Sequence, residues 1–224
     1  MPRVARHAPA GYVYHVLNRG VGRMQLFSRP ADYEAFEAVL ADTLAKIPLA
    51  ICGYCLMPNH WHFVVRPSMA GDLGRFFQRL TVTHANRWQR HRKRVGYGHV
   101  YQGRFKSFPV QEDEHFYQVL RYAERNAQRA HLVADAADWR WSSLWIREAG
   151  TADQRALLTR WPVPQPRNWR ELVRQSQTEA ELAALRHSVL RGTPFGGANW
   201  TADTARRLGL ESTLRPRGRP KKPK

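Results

Sequence analysis

Residues 57–65, MPNHWHFVV, set His60 and His62 on either side of Trp61 at the start of an apolar run. In a strand, successive side chains alternate between faces, so both imidazoles point one way and Trp61 the other. Two imidazoles so placed can share a metal ion and leave coordination positions open for a substrate. H-x-H is short, and alone it reads first as two polar side chains on a half-exposed strand. Cys52 and Cys55 precede the pair, which raises a zinc site as a rival. Three apart in one strand, however, the thiols face opposite sides, and a redox C-x-x-C belongs at a helix start. Buried thiols are the plainer reading.

A third ligand has to come from elsewhere. Residues 115–130, HFYQVLRYAERNAQRA, place Phe116, Val119, Leu120 and Ala123 at helical spacing. At about 100° per residue, Tyr122 and Asn126 stand one turn apart on one flank of that stripe, with Tyr117 on the other. Tyr122 and Asn126 can therefore reach one place together. Taken alone, Y-x-x-x-N reads first as a boundary aromatic and a solvated amide.

These side chains need elements to hold them. Residues 12–18 read as a strand, 31–47 as a helix and 49–56 as a second strand. Pro58-Asn59 marks a turn, and residues 60–66 complete a hairpin. Asp72 is placed to cap a long second helix with Leu73, Phe76, Phe77, Leu80, His84 and Trp88 on one face. Residues 99–110 read as a fourth strand. Glu112, Asp113 and Glu114 then suit a helix N-terminus, opening a third helix over about residues 115–130. The order β-α-β-β-α-β-α predicts an α+β fold: a ferredoxin-like antiparallel sheet with helices on one face, its core extended by the third helix. Residues 1–150 form this catalytic-type domain. Residues 151–212 read as a mainly helical extension, helical over 169–190 with a capping-box pattern at Thr178 and Glu181, and with a short helix at 201–208 closed by Gly209. Residues 213–224 form a basic tail.

Composition narrows the partner. The 224 residues are 43% hydrophobic, enough for a sizeable core, and carry a formal net charge of +18. That imbalance points to a polyanion, nucleic acid first, rather than a small-molecule substrate. No apolar run approaches membrane-spanning length, so no membrane partner is expected. The first residues lack the apolar core of a signal peptide, and only two cysteines are present. A cytoplasmic, nucleoid-associated protein is the expectation.

Four stretches, in order, carry a resemblance: HVLNRG (15–20), YCLMPNHWHFVV (54–65), GHVYQGRFKS (98–107) and LRYAERNAQRA (120–130). Together they resemble the single-tyrosine HUH transposases, most closely the REP-associated tyrosine transposases, over roughly residues 8–150. The chain departs from that pattern at Ala127-Gln128. The resemblance implies a metal-dependent enzyme that cleaves and rejoins single-stranded or hairpin (REP-like) DNA, acting as a monomer or homodimer. Tyr122 would be the nucleophile, leaving a free 3′-hydroxyl and a 5′-phosphotyrosine. His60, His62 and Asn126 would hold Mg²⁺ or Mn²⁺ as a Lewis acid. A phenol ionises near pH 10, and no clear general base stands out; Gln111, Glu112 and Gln118 are nearest in sequence. A non-catalytic regulator or architectural protein binding the same palindromes is the alternative.

The cations supply candidate DNA contacts. Alternation along the fourth strand puts Arg104 and Lys106 on one face, with Tyr101 and Phe105 on the other. Arg19 joins them, and Arg87, Arg90, Arg92, Lys93 and Arg94 cluster at the end of the second helix. That cluster also complements a helix C-terminus. Trp61 and Trp88 could stack on bases, although core packing is the plainer reading. In the tail, Arg217 and Arg219 lie in an AT-hook-like Arg-Gly-Arg-Pro, a form suited to a narrow minor groove.

Overall fold

Period-two and period-3.6 apolar patterns resolve into alternating strands and helices. The computed structural model describes residues 8–215, so Arg217 and Arg219 of the tail lie outside the described residues. The elements are β1 (Val13–Arg19), α1 (Pro30–Lys46), β2 (Ala50–Met57), β3 (His60–Arg66), α2 (Asp72–His91), β4 (Lys106–Val110), α3 (Glu114–Glu124), α4 (Asn126–Arg129), α5 (Ser143–Ala149), α6 (Ala152–Ala156), α7 (Trp169–Arg174), α8 (Glu179–Arg191) and α9 (Ala198–Leu208). The strands form one antiparallel sheet in the order β2-β3-β1-β4, the ferredoxin-like arrangement expected from the element order.

Register assigns the two faces. Tyr14, Val16, Tyr54, Trp61, Phe63 and Val65 share one face and pack with Phe36 and Leu40 of α1 and Phe76, Phe77 and Leu80 of α2. Val13, Val64, Phe108 and Val110 share the other and pack with Phe116, Val119 and Leu120 of α3. The third helix thus makes a separate layer on the far side of the sheet from α1 and α2.

Several local expectations need correction. The fourth strand begins only at Lys106; Tyr101 makes an isolated bridge to Gly20. Tyr101 and Phe105 are nevertheless in the core, with Arg104 and Lys106 exposed. Gly71, at φ 87°, is the N-cap of α2. Asp72 sits just inside, where its carboxylate accepts from the Met69 N–H (2.9 Å) and pairs with Arg75 (2.6 Å). The long third helix is interrupted at Arg125, whose ψ of 0° separates α3 from α4. A register shift between Ile51 and Gly53 places Cys52 in the cluster on the α3 side, while Cys55 lies opposite His62 on that same side. The thiols therefore do not face opposite ways; the bulge adds the residue that breaks the alternation.

The extension shares the core of the sheet domain. Trp161, Trp169, Val173, Leu182 and Leu185 join the cluster built on α3. Arg125 donates to the Val173 and Arg174 carbonyls. The Thr159 N–H donates to the Ile51 carbonyl (2.8 Å) and the Leu56 N–H to Trp141 (2.9 Å), both on β2. At the other edge, Phe195 donates to Pro109 (2.9 Å) and accepts from Gln111 (3.0 Å). The stretch expected as helical over 169–190 is two helices, broken by extended backbone at Gln175, and the Thr178/Glu181 capping box opens the second, α8; Gly209, at φ 65°, closes α9.

Two features fix α3 on the sheet. A Cβ at Gly53 would lie 2.4 Å from Leu120 Cδ1 and 2.7 Å from Ser143 Oγ, so only glycine admits this approach. Glu124, fully buried on the next turn, accepts from Ser143 Oγ (2.5 Å) and Trp169 Nε1 (2.8 Å). Burial pushes its carboxyl up to about 7, against the lowering effect of those bonds.

Gly53→Ala should overpack this contact and cost about 1–3 kcal/mol of stability in urea unfolding. For Glu124, the native state holds its proton to about pH 7 against a usual 4.5. Its contribution is therefore complete below pH 4.5 and is lost as pH rises through 7. Glu124→Gln, neutral throughout, should flatten the pH dependence of the melting temperature between pH 5 and 8 and melt above wild type at pH 8.

Candidate active site

The site is built on the sheet face covered by α3. Strand alternation turns His60 and His62 to that face and buries Trp61 on the other, as expected, with Trp61 Nε1 donating to the Tyr101 hydroxyl (3.2 Å). The two imidazoles are adjacent, with ring centroids 5.0 Å apart at 81°. Cross-strand pairing sets Arg19 beside His60 and Leu17 beside His62. His62 Nδ1 lies 2.9 Å from His15 Nε2. His15 is fully buried, and its Nδ1 has no hydrogen-bond partner among the described residues.

Electrostatics keep these rings neutral. Burial lowers His15 to about 3. Burial, then Arg19 and Arg129, lower His60 to about 4. His62 is driven well below its ordinary value by burial and by His60, His15 and the same two arginines. Neutral imidazoles retain the lone pair that metal coordination needs.

The α3 helix brings Tyr122 onto this group. Its ring lies 5.8 Å from that of His62 and 6.3 Å from that of His15. Tyr122 is 9% exposed, and its hydroxyl makes no hydrogen bond among the described residues. Despite the break at Arg125, Asn126 reaches the same place: its side-chain amide is 3.4 Å from His60 Nε2. Asn126 Nδ2 faces His60 and Oδ1 faces Arg129, so turning the oxygen to His60 means giving up the Arg129 bond. Tyr117 is elsewhere, packed on Trp161 and Trp169, its hydroxyl donating to the Pro164 carbonyl.

Arg129, not singled out in the sequence, completes the group. Its guanidinium lies 4.2 Å from the centre of the Tyr122 ring, donates to Asn126 Oδ1 (3.0 Å), and keeps a buried Nη1 without a partner among the described residues. Spacing held a signal for it: it follows Asn126 by three residues and Tyr122 by seven, on one helical face. His15 had no such signal, since only strand register brings it to His62.

Other sequence candidates lie apart. Gln111 accepts from the Gly197 N–H (2.8 Å) and Glu112 lies 3.5 Å from Arg66. Both cysteines are free and buried, and burial pushes Cys52 up to about 12. Among the described residues, their sulfurs do not gather with His60 and His62 into a group of three or more ligand atoms. Among the described residues, Asp113, Glu114 and His115 do gather ligand atoms within 4.8 Å. There Asp113 caps α3, accepting from the His115 N–H (2.9 Å) and pairing with its Nδ1 (2.7 Å), so capping accounts for that cluster.

The cations divide by location. Arg19, Arg104 and Lys106 line a cleft of about 600 Å³ next to the histidines, together with Arg186 of α8. Arg87, Arg90, Arg92, Lys93 and Arg94 lie at the end of α2, across the sheet. Trp88 Nε1 donates to the Leu26 carbonyl (2.9 Å) and Leu26 N–H to Pro58 (2.7 Å), which ties them to the His60 end of the sheet. Arg92 is engaged by Asp32 (2.8 Å) and the Trp88 ring, and Arg94 stacks on Tyr97. The other three are exposed. No helix among the described residues is long and apolar enough to cross a membrane.

Two neutral imidazoles and an amide on one face, with His62 Nδ1 already engaged by His15, suit a divalent cation of intermediate hardness. No curated protein matches the chain. Among solved structures, it is similar to a REP-associated tyrosine transposase bound to a REP hairpin: 16% identity, 74% of this chain and 93% of that chain covered, TM-score 0.53. At that identity the likeness establishes the fold. The model of the IS200-like transposases matches residues 10–126, a span of over half the chain that includes both histidines, Tyr122 and Asn126, and the protein belongs to that family of DNA-cleaving and DNA-joining enzymes.

Proposed function

We propose that the protein is a metal-dependent endonuclease and strand transferase for single-stranded, hairpin-forming DNA, with Tyr122 as its nucleophile. The observation that carries this reading is the convergence of His60, His62, Tyr122 and Asn126 on one sheet face. Tyr122 Oη attacks a backbone phosphorus; the new O–P bond replaces the P–O3′ bond, and the departing oxygen ends as a 3′-hydroxyl. The 5′-phosphate stays on Tyr122, so one ester replaces another and rejoining to a different 3′-hydroxyl needs no nucleoside triphosphate.

Each side chain has a task. His60, His62 and the Asn126 amide would hold Mg²⁺ or Mn²⁺, which when bound supplies Lewis-acid polarisation of a phosphate oxygen. His15 accepts at Nε2 from the His62 Nδ1–H and so leaves His62 Nε2 as the ligand atom, the supporting role common behind metal-binding histidines. In that tautomer His15 carries its own proton on the buried, unpartnered Nδ1. Arg129 braces the Tyr122 ring and gives up Asn126 Oδ1 when that oxygen turns to the metal, with its spare Nη1 available to a phosphate oxygen. Arg19, Arg104 and Lys106 hold the strand being cut. The α2 cluster of Arg87, Arg90, Lys93 and Arg94, on the same end of the sheet, suits the paired stem, and Arg217 and Arg219 add minor-groove affinity. Residues 1–150 carry the chemistry and residues 151–212 brace α3.

With a labelled hairpin oligonucleotide and Mn²⁺ or Mg²⁺, a covalent protein–DNA adduct should appear on a denaturing gel and vanish with chelator or in Tyr122→Phe. An adduct that survives Tyr122→Phe overturns the assignment; no adduct from the wild type favours a binding-only protein. His15→Phe should weaken Mn²⁺ binding, read by calorimetry without DNA, by about 10- to 100-fold. His15→Gln, which keeps an acceptor, should recover most of it.

A further inference from the structure

The extension does more than brace the catalytic half. Helix α8 buries Leu182, Leu185 and Ser188, and Glu181 pairs with Arg121 of α3 at 2.9 Å. This seating turns Arg186, Val189 and Leu190 into the cleft lined across from them by Leu17, Arg19, Arg104 and Lys106. Arg186 and Leu190 are one helical turn apart, so they present together. Leu17 and Arg19 are the cross-strand neighbours of His62 and His60, which places the cleft directly beside the reacting group. Burial, with the charge of nearby Arg186 adding to it, lowers the pKa of the Arg129 guanidinium, which places Arg186 within electrostatic reach of the site.

Charge decides the occupant. Among the described residues, no acidic side chain lines the cleft. Among the described residues Arg19, Arg104 and Lys106 make no salt bridge, and the only carboxylate near Arg186 is exposed Glu179, at 3.8 Å. Leu190 is 62% exposed at the rim. Unpaired cations around an apolar lining match a single strand, whose phosphates and uncovered base faces are both accessible; in a duplex the base faces are stacked away.

We propose that α8 is the second wall of the strand-binding cleft, with Arg186 holding a backbone phosphate and Leu190 packing on an unpaired nucleotide beside the scissile position. This rests on the strand-transferase reading above. The test uses the full-length chain in the Tyr122→Phe background, so that binding is read without cleavage. The probe is a fluorescent hairpin with a single-stranded flank, compared with the same hairpin whose flank is paired to a complement. Arg186→Glu should weaken binding to the unpaired flank about tenfold at 0.1 M salt and reduce the salt slope by about one, whereas Arg186→Lys keeps the slope. Leu190→Ala should weaken binding to the unpaired flank severalfold and leave the paired one unchanged. Both side chains are solvent-facing, and matching melting temperatures would exclude misfolding. Variants that bind indistinguishably from their parent, including no binding by either, overturn the proposal. An inactive wild type whose α8 variants still lose the slope refutes the nucleolytic reading alone; a normal adduct with unaffected α8 variants refutes this one alone.

Discussion

Everything at the site depends on how closely α3 lies against β2. Gly53 leaves a space that Leu120 and Ser143 fill, and Glu124 ties the same turn to α5 and α7. Tyr122 lies between those two anchors in sequence. A helix moves as a rigid body over such a short span, so a shift at Gly53 passes undiminished to the phenol. In a reaction whose rate depends on approach geometry, a misplacement of about 1 Å can cost about 100-fold. The tight packing under α3 is thus a catalytic requirement as much as a stabilising one.

The reacting group is also unusually poor in negative charge. His15, His60 and His62 are held neutral, and the charges beside them are the guanidiniums of Arg19 and Arg129. Among the described residues, no salt bridge reaches either arginine, and Arg129 keeps an unpartnered Nη1. Such a pocket favours a polyanion electrostatically before any specific contact forms. The net charge of +18 repeats that preference over the whole surface, but here it is focused by low-dielectric walls.

Local periodicity carried much of this into the sequence. Alternation alone placed His60 and His62 on one face and Trp61 on the other, and the α3 stripe placed Tyr122 and Asn126 on a common flank. The six-element order led to the observed strand order. What failed, failed where backbone irregularity intervenes. The bulge at Cys52 reversed the relation between the two thiols, because one added residue exchanges faces. The fourth strand was read too long, since Tyr101 and Phe105 are buried from a loop that mimics alternation. His15 went unassigned because its neighbour is 47 residues away, and register between strands is not written in either strand alone. The placement of α8 is of the same kind: its Thr178/Glu181 capping box is readable in the sequence, its docking partner is not.

Residues after α4 meet both margins of the sheet, Trp141 and the extension's Thr159 on β2 and its Phe195 on β4. An open margin is a row of unpaired peptide groups that recruits strands from other molecules. Here each margin is at least partly occupied by the chain's own later residues. At those positions the peptide groups are already taken, which works against self-association by strand addition.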